Sequence, residues 1–272
     1  MKIILSRKGF DSANGGQASP ILPDGTLLSL PIPSHDNTHF SEIQWGGISF
    51  CDIIRQLKRN TFIDSDSRCH LDPDIRKGVR QRKTGWIPAF GQKGSPLTEL
   101  FNNNIGIGDI FLFYGWFRHT VCHDGHLSYL RGAKDMHVIY AYLQIGKIIR
   151  AEKDIPDWMR EHPHANHERY EKEWENKQNA IFLPSVHLSI NPEMPGAGAF
   201  AFDSGRVLTK EGCSRSRWAF PEAMRGTPVS HCPNGWKKDY FQSAAIGQEF
   251  VMDATPPVLE WLKTIFTPGS SI

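Results

Sequence analysis

Between Gly106 and Phe117 the chain reads Gly-Ile-Gly-Asp-Ile-Phe-Leu-Phe-Tyr-Gly-Trp-Phe, a Gly-Asp turn that opens an apolar run with no polar alternate face. A strand of that kind has no wet side and must be covered on both faces. A second apolar run follows at Met136–Ile149, and the polar, turn-forming residues between the two predict an antiparallel pair. Lys2–Ser6 reads as a further buried strand, with Ala180–Pro184 and Arg206–Thr209 as shorter ones. Only short helices are expected around them. Phe50, Ile53, Ile54 and Leu57 fall at helical spacing behind Ser49 as cap, a polar helix is expected at 167–177 after Pro163, and Thr255 with Pro256 starts a helix that reaches Phe266. Asp24-Gly25, between Ile21-Leu22 and Leu27-Leu28, predicts a hairpin turn. The fold class is therefore α+β: a β-rich, mixed or antiparallel barrel-like sheet with a few short peripheral helices, in one domain over 1–272. With 16 Phe, 8 Trp and 6 Tyr, the chain has the apolar surface to offset backbone ordering.

The start, MKIILSRKGFD, has three consecutive strong apolar residues, against the ~7–15 of a secretory signal. No stretch reaches the ~18 apolar residues of a membrane span. Five widely separated cysteines without C-x-x-C spacing argue against a disulfide framework or a thiolate zinc site and fit a reducing cytoplasm. A net charge of +2 marks no nucleic-acid binder by itself. Locally, however, RKGVRQRK places Arg76, Lys77, Arg80, Arg82 and Lys83 together with no negative charge, a pattern suited to phosphates as well as to a solvated basic face.

Several groups carry candidate chemistry. Directly after the first strand, Arg7 and Lys8 can meet a phosphate, with Asp11 and Ser12 beside them for a ribose, a base or proton transfer. Asp24, Ser29 and Pro31–Pro33 are expected to form the facing wall. His70, Asp72 and Asp74, in Cys-His-Leu-Asp-Pro-Asp, suit proton relay or a divalent cation, while Asp72 and Pro73 equally fit a helix start. Histidines 119, 123 and 126 and histidines 162, 164 and 167 form two clusters, yet no H-E-x-x-H or C-x-x-C spacing is present, so no metal is expected. Trp116 beside Arg118 and Trp218 beside Arg217 suit base stacking with phosphate pairing. Cys213 with His231 is a nucleophile-base pair that no spacing rule links. The chain has no P-loop, no G-x-G-x-x-G and no deaminase signature, so no particular cofactor is implied.

Two resemblances bear on these residues. Gly108, Asp109, Phe111–Tyr114 and the strand from His137 to Ile148 resemble the PUA-like barrels, including the EVE and ASCH groups, over about 104–150; such barrels grip RNA or pocket an altered base. Residues 1–33, Cys69–Asp74, Leu208–Gly212 and Ser216–Pro221 resemble the third of the nucleotide-modification-associated domain families, nearly end to end. That resemblance implies a setting in nucleotide or DNA modification, in phage or mobile elements, with nucleotides, nucleic acid or other modification proteins as partners. Catalytic roles for Asp11, Asp24 and His70, a non-catalytic reader of modified bases, and a structural partner of a modification enzyme all remain open at this point.

Overall fold

The computed structural model describes residues 1–244, 249–267 and Gly269. The two apolar runs form the longest strands, Ile110–His123 and Met136–Ile149, which pair antiparallel as expected. Lys2–Arg7 lies parallel to the first of them and antiparallel to Glu249–Asp253. On the other side Met136–Ile149 pairs antiparallel with Asn179–Pro184, which in turn pairs with Phe90–Lys93. The sheet curls into a half-barrel of mixed orientation, and the Gly-Asp turn pins its start. Asp109 accepts the Lys2 amide at 2.7 Å through Oδ1 and the Gly106 amide at 2.8 Å through Oδ2.

Strand alternation sorts the apolar run into two cores. Ile110, Leu112 and Tyr114 face a cluster with Trp218, Phe250 and the helix Pro256–Phe266, whereas Phe111, Phe113 and Phe117 face Phe90, Phe182 and the helix Gly94–Asn102. Each fully buried Phe contributes about 1.5–3 kcal/mol, so both faces stabilise the sheet. A third cluster packs the helix Phe50–Leu57 against Phe10, Leu28, Leu30 and Phe40. A fourth gathers Met159, Tyr170, Trp174 and Ile181 under the helix His167–Glu175.

Local signals explain the expected helix starts. Ser49 Oγ accepts the Asp52 amide at 3.0 Å, and Asn166 Oδ1 accepts that of Arg169 at 3.2 Å. Asp24-Gly25 turns a hairpin, with Gly25 at φ +82° and the Leu22 amide donating to the Thr26 carbonyl at 2.9 Å.

Three expectations are corrected. Arg206–Thr209 is not a strand but a 3₁₀ turn, Ser204–Arg206, followed by single bridges at Val207 and Thr209; the Arg206 side chain turns inward to the Ile265 carbonyl at 2.8 Å. Thr255 is the cap residue of its helix, as expected, but its side chain makes no cap bond; Pro257 removes the second-position amide that such a cap can use. Asp72 starts no helix: the residues after it are extended, and its carboxylate is buried and accepts the Gly91 amide at 2.7 Å.

Candidate functional site

A two-stranded ribbon of Ile32–His39 and Arg68–His70 forms one wall of an open cleft of about 700 Å³. The helix His167–Glu175 supplies Arg169 and Tyr170, and the edge strand contributes Lys93. Phe62, 68% exposed, stands at the mouth. Arg68, Lys93 and Arg169 make the lining basic; Lys93 lies 4.7 Å and Arg169 5.2 Å from the Tyr170 ring. Both are also paired, Lys93 with Glu173 at 2.8 Å and Arg169 with Asp36 at 2.5 Å.

His70 reaches the cleft from the ribbon, its side chain 15% exposed. Its Nδ1 lies 2.6 Å from Asp36 Oδ2, and because an ionised carboxylate only accepts, that nitrogen carries the proton. Ser34 Oγ donates to the same oxygen at 2.6 Å. Burial pushes the Asp36 carboxyl up, but the His70 and Ser34 hydrogen bonds and the nearby Arg169 guanidinium outweigh it and hold the carboxyl at about 2. His70 Nε2 is thereby left facing inward, 3.9 Å from Asp72 Oδ2.

Behind His70 lies a second layer. His162 Nε2 is 3.3 Å from Asp72 Oδ1. The His164 ring sits on Gly91, where an added Cβ would come within 2.2 Å of ring atoms, so only glycine permits the approach. His164 Nδ1 lies 2.7 Å from Asn179 Oδ1, while Asn179 Nδ2 donates to the His164 carbonyl at 3.0 Å. That second bond fixes the amide's orientation, makes Nδ1 of His164 the donor and leaves its Nε2 with the lone pair. Burial pushes the His164 imidazole down to about 3, so it is neutral. Burial also opposes charge on Asp72, yet the neighbouring histidines keep its carboxyl below the usual range. One ligand atom each from His70, Asp72 and His164 lies within 4.8 Å of the others.

The expected N-terminal loop opens on a separate groove of about 400 Å³. Arg7, Asp11 and Ser12 line it with Trp116, His137 and Ser214–Ser216. Arg215 donates to Ser12 Oγ at 3.0 Å and lies 3.8 Å over the Trp116 ring. Asp11 Oδ1 accepts the Ala13 and Asn14 amides at 2.8 and 2.7 Å, closing its own turn. Lys8 points to Glu249 at 3.0 Å, inside the half-barrel. Ser29 meets this loop at Gly9, but Asp24 lies in the exposed hairpin, and Ile32 and Pro33 line the other cleft.

The remaining expected ligand residues already have internal partners. Trp218 is fully buried and donates to His137 Nδ1 at 3.1 Å; Arg217 lies 5.0 Å from the Tyr240 ring; Arg118 binds Asp135 at 2.8 Å. In the basic stretch, Arg76 donates to the Leu27 carbonyl at 3.1 Å, Arg80 to Glu161 at 2.8 Å, and Arg82 forms a fork on Asp74 at 2.5 and 2.6 Å. Lys77 is exposed, and Lys83 lies 3.7 Å from Glu161. His123 and His126 face each other across an exposed hairpin, His167 is exposed beside Glu152, and His231 pairs with Glu99. Sequence reasoning singled out His70 with Asp72 in one motif and His164 in another, but missed Asp36, Lys93, Arg169, Asn179 and Gly91. The alternation His162-Pro-His164 was the available hint, since it sends two imidazoles toward one carboxylate.

The sheet and cleft together define a half-barrel protein with a basic cleft backed by a buried layer of histidines and carboxylates. Residues 2–253 match nucleotide modification associated domain 3, and the chain belongs to that family. No curated protein and no solved structure matches it. Among the described residues, no helix is long and apolar enough to cross a membrane.

Proposed function

We propose that the protein binds a nucleotide or nucleobase in the cleft above His70 and acts on it in a modification reaction. The observation that carries this reading is the convergence of Arg68, Lys93 and Arg169 around the same opening that exposes the Asp36-bound His70. Cationic side chains suit phosphate oxygens, and Phe62 and Tyr170 offer ring faces for a base. Family membership supports the nucleotide setting. His70 and Asp72 carry the chemical role in this reading, while Asp11 and Asp24 serve their turns. The phosphate role of the basic stretch falls to Lys77 and Lys83, whose side chains are the more exposed ones there.

A second reading places a modified base in the groove, recognised without reaction; it is favoured by Trp116, whose buried Nε1 has no partner among the described residues. A PUA-like role for residues 104–150 belongs with this reading, because both Trp116 and His137 lie on the long strands. Calorimetric titration with nucleotides and with oligonucleotides bearing ordinary or modified bases separates the two. Under the cleft reading, Arg68→Ala with Lys93→Ala weakens binding at least tenfold and Arg215→Ala does not. The reverse pattern moves the ligand to the groove and ends the cleft reading.

A further inference from the structure

We propose that His70, Asp72 and His164 bind one divalent first-row transition ion at the floor of the cleft. Two imidazoles and one carboxylate form a donor set that suits such ions better than magnesium or calcium, which favour all-oxygen sites. The tautomers fit: Asp36 and Asn179 take the Nδ1 protons of His70 and His164, which leaves each Nε2 as a lone-pair donor. Carboxylate or amide partners of this kind orient metal-binding imidazoles and raise their basicity. Asp72 divides its oxygens in the same way. Oδ1 takes the Gly91 amide and faces His162, and Oδ2 faces His70.

A second observation points to a cation independently. Asp72 is buried, and among the described residues no lysine or arginine pairs with it. A carboxylate buried away from any cationic side chain is costly, and a bound ion removes that cost. His70 lines the cleft and turns its Nε2 inward, while Asp72 and His164 lie behind it. Three protein donors leave at least one coordination position unfilled by this set, as in catalytic rather than structural sites. Such an ion would polarise a phosphate or carbonyl oxygen, or activate water. The inference shares its cleft with the nucleotide reading but does not depend on the identity of the ligand.

The test is equilibrium dialysis of chelator-treated full-length protein against Zn²⁺ and Co²⁺, with the visible spectrum of the Co²⁺ form and the melting temperature as further readouts. The expected result is about one ion per chain, ligand-field bands from mixed nitrogen and oxygen donors, and a raised melting temperature, since an ion that binds only the folded state stabilises it. His70→Ala, on the partly exposed ligand, and Asn179→Ala, on the positioning residue, should weaken binding about 100-fold and about 10-fold. Circular dichroism checks that both variants fold. Absence of stoichiometric binding overturns the proposal, as does undiminished binding in the His70 variant, which would assign the ion to surface histidines such as His123 and His126. Nucleotide titration of both the metal-free and the metal-loaded protein keeps the two readings apart: nucleotide binding without metal binding ends this inference alone, and metal binding with no nucleotide binding in either form ends the other.

Discussion

The cleft and the groove are both polar depressions beside the same sheet, but they differ in depth of organisation. In the groove most lining polar groups bond to one another or to their own turn: Arg215 reaches Ser12 and Trp116, and Asp11 closes its own turn. In the cleft, surface cations overlie His70, and His70 overlies a buried set whose atoms are fixed by further partners. Self-satisfied surface pairs are cheap to form and cheap to lose, whereas a buried polar set persists only if every member is held. The layered arrangement is the costlier one, and that marks the cleft as the stronger functional candidate.

The contrast can be broken most directly at Asp72. Asp72→Ala should lower stability by about 3–5 kcal/mol in urea unfolding, because it strands buried polar partners; a loss below about 1 kcal/mol would mean that the layer is not interdependent. Gly91→Ala should cost about 1–3 kcal/mol by forcing the His164 ring off the strand, and crystals of the variant would show whether the ring moved.

The groove supplies a pH test. Burial, helped by the Arg215 and Arg7 charges, pushes His137 from 6.5 down to about 3. The unfolded chain therefore binds a proton that the folded chain refuses. Stability from this residue is complete above pH 6.5 and is lost as pH falls toward 3, by up to about 1.4 kcal/mol per pH unit. Unfolding of His137→Gln between pH 7 and 5 should show a shallower slope than the parent; an equal slope would mean His137 is not held neutral. The smallest effect is expected for Arg215→Ala, about 0.5–1 kcal/mol from a half-buried ring contact and one surface hydrogen bond. A larger loss would show that the groove is more tightly built than its single layer suggests.

The elements legible in the sequence were those whose signal is local. The strands at 110–123 and 136–149, the Ser49-capped helix and the Asp24-Gly25 turn each carry periodicity or cap chemistry within a few residues. The ribbon that holds Asp36 and His70 escaped, because Ser-His-Asp-Asn-Thr-His has no alternation of apolar residues and is held instead by pairing with Arg68–His70. Phe90–Lys93 escaped for a related reason: Gly91 reads as a breaker, although it is there to let His164 approach. The cleft and the layer behind it join residues from 32 to 179, and no spacing rule reaches that far. The histidine clusters visible in the sequence were therefore divided differently in space, with His162 and His164 turned inward and His167 outward.

The pair Lys8 and Glu249 has a further consequence. Glu249 Oε1 accepts from both Lys8 at 3.0 Å and Gln92 at 2.6 Å, deep within the half-barrel. Lys8 is the covalent neighbour of Arg7 in the groove, and Gln92 lies between Gly91 and Lys93 at the back of the cleft. One acidic side chain thus ties the strand that ends at the groove to the strand that ends at the cleft.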